Sequence, residues 1–153
     1  MTNTDNTIAF IGGGNMATAI IGGLVRQGTP ASRIEVVEPF AAQRDRLRAQ
    51  FGVQARDTAG ETLRQAALVL WAVKPQTFRD AATQAAPFTQ GALHLSVAAG
   101  IRSDSIAHWL GNQRIVRAMP NTPALVGQGM TALFARAAVT DADKQWAEQV
   151  IAA

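Results

Sequence analysis

Thr7-Ile8-Ala9-Phe10-Ile11-Gly12-Gly13-Gly14-Asn15-Met16-Ala17 is the stretch that decides the fold. A short apolar run enters three consecutive glycines without a polar interruption. From Asn15 to Gln27 the apolar residues then recur at helical spacing, with Gly28 as a stop signal and Pro30 just beyond. The reading is a buried strand, a sharp turn and a helix. Gly12, Gly14 and Ala17 fit the pattern G-x-G-x-x-A in the strand-to-helix setting that gives the pattern its meaning.

Such a turn suits a pyrophosphate. Gly12 permits the tight bend, Gly14 lets the backbone approach a phosphate, and Ala17 lets the helix pack close to the strand. The helix start adds free N–H groups and the positive end of the helix dipole. Ile11, Gly12, Gly13, Gly14, Asn15, Met16 and Ala17 are therefore candidate dinucleotide contacts; the competing reading is a glycine-rich turn that binds nothing. Glu38 lies 21 residues after Ala17, at the end of the second apolar run. A carboxylate there is expected to accept hydrogen bonds from the adenosine ribose 2′-hydroxyl and to repel a 2′-phosphate. Arg44, further on, competes as a partner for a 2′-phosphate, so NADPH and NADH both stay open.

Outward from this unit, short apolar runs alternate with helical patterns. Strands are expected at Arg33 to Val37, from Val53, at Ala67 to Val73, Ala92 to Ala98, Arg114 to Met119 and Gly129 to Ala135. Helices are expected at Phe40 to Gln50, briefly at Ala59 to Arg64, from Pro75, at Ser103 to Leu110 before Gly111, and at Asp141 to Ala153 with Trp146 and Val150 on one face. Alternation of this kind predicts an α/β fold with a doubly wound, mainly parallel sheet of the Rossmann type and helices on both faces. A single domain over residues 1–153 accounts for the length.

Composition narrows the classes. There is no cysteine, which excludes disulfides and thiolate metal sites, and no metal site is expected. The polar start from Met1 to Thr7 lacks a signal-peptide pattern, and no apolar run is long enough to span a bilayer. A soluble cytoplasmic protein without membrane contact is expected. The net charge is +3, and its most compact basic cluster, Arg44, Arg46 and Arg48, reads as a solvated helix face rather than a nucleic-acid surface.

Three further segments sit where strands are expected to end: Ala72-Val73-Lys74-Pro75, Ser96-Val97-Ala98-Ala99-Gly100, and Arg117-Ala118-Met119-Pro120-Asn121-Thr122-Pro123. With Gly12 to Met16 and the later Gly127-Gln128-Gly129-Met130-Thr131, they resemble pyrroline-5-carboxylate reductases in order and spacing from residue 8 to about residue 135. The Met-Pro-Asn-Thr-Pro run distinguishes that family from β-hydroxyacid dehydrogenases.

The resemblance implies an NAD(P)H-dependent oxidoreductase that reduces the cyclic imine 1-pyrroline-5-carboxylate to L-proline, the last step of proline biosynthesis. It implies that Gly12 to Ala17 hold the pyrophosphate and that Glu38 faces the ribose, although many relatives carry Ser, Thr or Asn there. Ala72, Val73, Lys74 and Pro75 would line the nicotinamide half, with Ala98, Ala99 and Gly100 close by. Met119, Pro120, Asn121 and Thr122 would border the substrate. It also implies a C-terminal helical domain, absent from this chain, that carries the catalytic hydroxyl residue, the substrate carboxylate site and the contacts of a dimer or higher homo-oligomer. No catalytic residue is therefore assigned within residues 1–153. Apolar surface left for that domain is expected at Trp146, Val150 and Ile151. On the residues alone, Lys74 and Pro75 also fit a plain helix start, the small residues 98–100 fit tight packing, and Met16 and Trp71 fit core positions. His94 and His108 read as structural. Two other functions stay open: a β-hydroxyacid dehydrogenase-type oxidoreductase and a stand-alone nucleotide-binding module.

Overall fold

A computed structural model describes residues 6–120 and 130–152. Its strands are β1 (Thr7–Ile11), β2 (Ile34–Val37), β3 (Gln54–Arg56), β4 (Ala66–Trp71), β5 (Leu93–Ser96), β6 (Ile115–Pro120) and β7 (Met130–Ala135). The helices are α1 (Asn15–Arg26), α2 (Ala41–Phe51), α3 (Pro75–Ala85), α4 (Ser103–Leu110) and α5 (Asp141–Ile151). The strands form one seven-stranded sheet in the order β3-β2-β1-β4-β5-β6-β7. All neighbours pair in parallel except β6 and β7, which are antiparallel. The doubly wound Rossmann architecture expected from the alternation is the one observed.

Successive residues of a strand face opposite sides of a sheet, and here both sides are buried. Ile8 and Phe10 of β1 pack with Leu68 and Leu70 of β4 against Ile20, Ile21 and Leu24 of α1 and Leu47 of α2. Ala9 and Ile11 pack with Val69 and Trp71 on the other side, against Phe78 of α3 and Ile106 and Leu110 of α4. Burial on both faces is why these strands read as continuous apolar runs rather than alternating ones.

Three expectations need correction. Trp146, Val150 and Ile151 of α5 are not apolar surface awaiting another domain: all three are buried against the α1 face of the sheet. The amphipathic pattern was legible, but its partner is this domain's own core. The segment at Ala59 to Arg64 is instead a 3-10 turn over Glu61–Gln65. The arginine cluster on α2 is not simply solvated. Arg44 donates through Nη1 to the carbonyls of Glu38 and Pro39 (both 2.9 Å), and Arg48 donates to the Ala55 carbonyl. Two of the three arginines thus tie α2 to the strand ends beside it.

Helix α5 begins with a capping box. Thr140 Oγ1 accepts from Asp143 N (3.0 Å), and Asp143 accepts from Thr140 N (3.4 Å). Arg114, just before β6, pairs with Asp143 at 3.1 Å and so fixes the start of α5 to the sheet. Among the described residues, no helix is long and apolar enough to cross a membrane, and no cluster of His, Asp and Glu has metal-binding geometry.

His94 lies in β5, only 1% exposed. The Trp71 indole N–H donates to its Nδ1 (3.0 Å), which leaves Nε2–H to donate to the Thr89 carbonyl (3.2 Å). Both ring nitrogens are satisfied in the neutral state. Burial is the main cause that lowers its pKa to about 4; the hydrogen bond to Thr89 opposes this, and the charge of Arg114 adds to it. The folded pKa lies below the unfolded one, so the unfolded chain binds more protons between these values. Stability should therefore be complete above about pH 6.5 and fall as pH drops toward about 4, by at most about 3 kcal/mol. Asp104, held below the usual carboxylate range by the hydrogen bond and charge of Arg136, loses its contribution at lower pH still. Urea unfolding from pH 4 to 7 should show this slope in the native sequence and a flatter one in His94→Gln. An equal slope in both would mean that His94 is not the group responsible.

Candidate functional site

Strand order reverses between β1 and β4: β1 runs on to β2 on one side, while β4 runs on to β5 on the other. Ligands of open α/β sheets bind at the carboxyl ends of strands flanking such a reversal. The glycine turn lies there. Backbone ladders continue past the strand ends and hold it: Gly12 N donates to Val37 O (2.8 Å) and Ala72 N to Ile11 O (2.9 Å).

Gly12 has φ +98°, and a Cβ built on it would lie 2.5 Å from the Ala72 carbonyl oxygen. Only glycine fits both the conformation and the space. The close approach also puts Gly12 beside Val73, whose Cγ1 would be 3.2 Å from that Cβ. Gly13 is buried against Leu47, Val36 and Glu38. Gly14 differs: among the described residues, a Cβ there would meet no atom within 4 Å beyond its chain neighbours. Protein packing therefore does not require glycine at position 14, and the space beside it is open.

Gly14 is also the N-cap of α1. Among the described residues no side chain caps that helix start, and no acidic residue occupies its first turn. A twelve-residue helix with an uncapped N-terminus, exposed Gly14 and Asn15, and vacant space at the cap presents unsatisfied N–H groups and a positive dipole end. Met16 and Ala17 turn inward: Ala17 is in the core and Met16 packs against it.

Glu38 is 6% exposed and follows β2 directly. Its Oε1 accepts from Gly13 N (2.9 Å) and its Oε2 from Phe40 N (3.0 Å). Glu38, the residue expected at the ribose, thus holds the glycine turn from behind. A groove of about 460 Å³ lies beside this strand end and is lined by Arg44, Arg48, Arg56, Thr58, Gly60 and Thr62 among others.

On the other side of the reversal, Ala72 and Val73 are half-buried, and Lys74 and Pro75 are exposed, with Pro75 at the first position of α3. Val97 N donates to Trp71 O (3.1 Å), which brings the end of β5 next to the end of β4. Ala98 is buried, while Ala99 and Gly100 are exposed. Residues 11–17, 38, 72–75 and 98–100 therefore share the carboxyl edge of the sheet. Met119 and Pro120 end β6, which runs parallel to β5 and so reaches the same edge. Asn121 and Thr122 lie outside the described residues.

Sequence reasoning missed Thr18 and Gln43. Thr18 Oγ1 donates to the Gly14 carbonyl (2.7 Å), and Gln43 Nε2 donates to the Gly13 carbonyl (2.5 Å). A glutamine on an amphipathic helix carries no motif that would have marked it. The signal appears only when α2 is folded against the turn.

Fold and site together define a dinucleotide-binding domain of the Rossmann type. A family profile described as NADP oxidoreductase coenzyme F420-dependent matches residues 7–100, and the chain belongs to that family. Among curated relatives, it is 42% identical over 148 residues to a pyrroline-5-carboxylate reductase of Pseudomonas aeruginosa, covering 95% of this chain and 54% of that protein. It is 40% identical over 149 residues to one from Vibrio alginolyticus, with the same coverage of 95% and 54%. Among solved structures, a pyrroline-5-carboxylate reductase from Coxiella burnetii superposes with a TM-score of 0.88 at 35% identity, covering 96% of this chain and 56% of that one. The chain thus spans about half the length of the relatives it matches.

The two outer glycines of the motif should respond very unequally to a methyl group. Gly12→Ala combines a positive φ with a clash against a backbone carbonyl and should cost at least about 3 kcal/mol. Gly14→Ala adds a Cβ in open space and should cost less than about 1 kcal/mol. Thermal or denaturant unfolding of the two variants measures the contrast, and equal destabilisation would contradict the geometry.

Proposed function

We propose that this chain is the cofactor-binding half of a pyrroline-5-carboxylate reductase, taking NADPH or NADH and reducing 1-pyrroline-5-carboxylate to L-proline. The observation that carries the cofactor reading is the uncapped start of α1 with vacant space at Gly14, set at the strand-order reversal. The reaction is supported by the similarity to reductases of that name over nearly the whole chain.

The residues fit a dinucleotide. The first-turn N–H groups of α1 would receive the pyrophosphate oxygens, and Gly14 lets them approach. Glu38, at the end of β2, would lie beside the adenosine ribose. Val73, Lys74 and Pro75 would border the nicotinamide half, and the small residues Ala98, Ala99 and Gly100 would leave room for a flat ring. Met119 to Thr122 would face the imine. The nicotinamide supplies the hydride that adds to the imine carbon, while a proton is taken up at nitrogen. The work of this chain is positioning, and holding reactants at near-attack distance is worth about 7–11 kcal/mol. No proton donor is assigned among residues 1–153. A second, helical domain would supply it, together with the substrate carboxylate site and the subunit contact.

The deciding measurement is NAD(P)H oxidation with pyrroline-5-carboxylate, by residues 1–153 and by a chain that includes the second domain. Cofactor binding by both, with turnover only by the longer one, is expected. Turnover by residues 1–153 at a comparable rate would place the proton donor within them, and no turnover by either would refute the substrate. Calorimetric titration tests the cofactor site separately. Gly14→Val should remain folded yet lose binding by at least about tenfold, because the side chain occupies the approach of the pyrophosphate.

Glu38→Ser should move the NADPH/NADH affinity ratio toward NADPH by removing a like charge. It should also lower stability by about 1–3 kcal/mol, because two backbone N–H groups lose their acceptor. An unchanged ratio would mean that Glu38 serves the turn alone.

A further inference from the structure

Gly13 is held from both sides by side chains of the β2–α2 segment. Its N–H donates to Glu38 Oε1 at 2.9 Å, and its carbonyl accepts from Gln43 Nε2 at 2.5 Å. The same Gln43 nitrogen lies 3.4 Å from Thr18 Oγ1, and that hydroxyl donates to the Gly14 carbonyl at 2.7 Å. The carboxamide orientation has independent support. Gln43 Oε1 accepts from Arg46 Nη1 (3.3 Å), three residues along α2, so the amide nitrogen faces the turn.

The Gly13 carbonyl and the Gly14 N–H belong to one peptide unit. In a trans peptide they point in opposite directions, and no cis bond occurs among the described residues. A hydrogen bond that draws the carbonyl toward α2 therefore turns the Gly14 N–H away from α2, at the start of α1. Consecutive glycines have more backbone freedom than any other pair. The other donor to the Gly13 carbonyl among the described residues, Thr18 Oγ1, stands at a long 3.4 Å, so without Gln43 this peptide plane is held only weakly and can rotate its donor out of the site.

We infer that Gln43 is a positioning residue of the phosphate-binding turn: its carboxamide fixes the Gly13–Gly14 peptide so that the Gly14 N–H is preset for a pyrophosphate oxygen. Gln43 acts through the turn and touches no ligand. The inference rests on the cofactor reading above and deepens it, since it assigns pre-organisation of the anion site to a side chain on α2. Losing one such bond should weaken dinucleotide binding about fivefold to tenfold. The pyrophosphate is common to NADH, NADPH and ADP-ribose, so all three should weaken by the same factor.

The test is calorimetric titration of these three ligands into the native protein, Gln43→Met and Gln43→Glu, with thermal unfolding of each. Methionine keeps the length and helix preference of glutamine but has no donor. Glutamate keeps the shape but turns an acceptor toward the Gly13 carbonyl. Expected are equal losses for the three ligands in Gln43→Met and larger losses for all three in Gln43→Glu, greatest for NADPH because of its 2′-phosphate, with Tm within about 3 °C of the native protein. The inference is overturned if both variants bind within about twofold of the native protein. It is also overturned if only one cofactor weakens in Gln43→Met, which would place Gln43 at the ribose, or if both variants lose affinity only alongside a larger fall in Tm, which would make its role structural. Failure of the native protein to bind any of the three would instead refute the cofactor site itself, an outcome distinguishable from the others because it does not depend on the variants.

Discussion

The carboxyl ends of β1 and β4 come so close that a methyl group at Gly12 would meet the Ala72 carbonyl oxygen at 2.5 Å. Much of the site follows from this approach. The end of β1 is bonded on both sides, with Gly12 N to Val37 O and Ala72 N to Ile11 O. The positive φ at Gly12 then turns the chain out of the sheet onto one face, where α1 begins. The segment after β4 instead leads through Val73 and Lys74 to α3, whose Phe78 packs on the opposite face. The two chains diverge from the point of closest contact, and the start of α1 is left standing at the crevice between them.

Much of this was legible in the sequence because it depends on local chemistry. The run from Thr7 to Ile11, the three glycines and the helix from Asn15 each carry their own signal, and all three match the structure within a residue at their ends. Ser103 to Leu110 followed by Gly111 was equally clear, since a left-handed residue at φ +63° ends the helix where glycine supplies it. The strand ends were less sharp. The apolar runs at Ala67 to Val73 and Ala92 to Ala98 continue past β4 and β5, because a residue such as Ala98 stays buried after pairing in the sheet stops. Hydrophobicity reports burial, and burial outlasts the ladder.

What could not be read depends on which surfaces meet. Trp146, Val150 and Ile151 announce an apolar helix face, but nothing in their spacing says whether the partner is this domain or another. Thr140 and Arg114, through Asp143, fix α5 so that this face closes on the sheet. The direction of β7 was likewise hidden, since an apolar segment has the same composition whichever way it runs. Gln43 is the extreme case. Its role arises from a contact 30 residues away in sequence, on a helix whose pattern asks only that Leu47 face inward.

Glu38 shows how a buried carboxylate can brace the glycine turn without facing its open side. An unpaired carboxylate beside an anion site would repel its ligand, and burying it would cost several kcal/mol. Here each carboxylate oxygen accepts a backbone N–H, one from Gly13 and one from Phe40, so the charge is stabilised whether or not a ligand is present. Arg44, donating to the Glu38 and Pro39 carbonyls, holds a guanidinium against the same strand end and offsets part of the negative potential. The carboxylate is directed at Gly13, whereas the amides at the start of α1 belong to the following residues. The charge therefore supports the turn from behind while the donors remain on its open side. That separation lets a single glycine-rich loop be braced by an acid and still present its positive end to an anion.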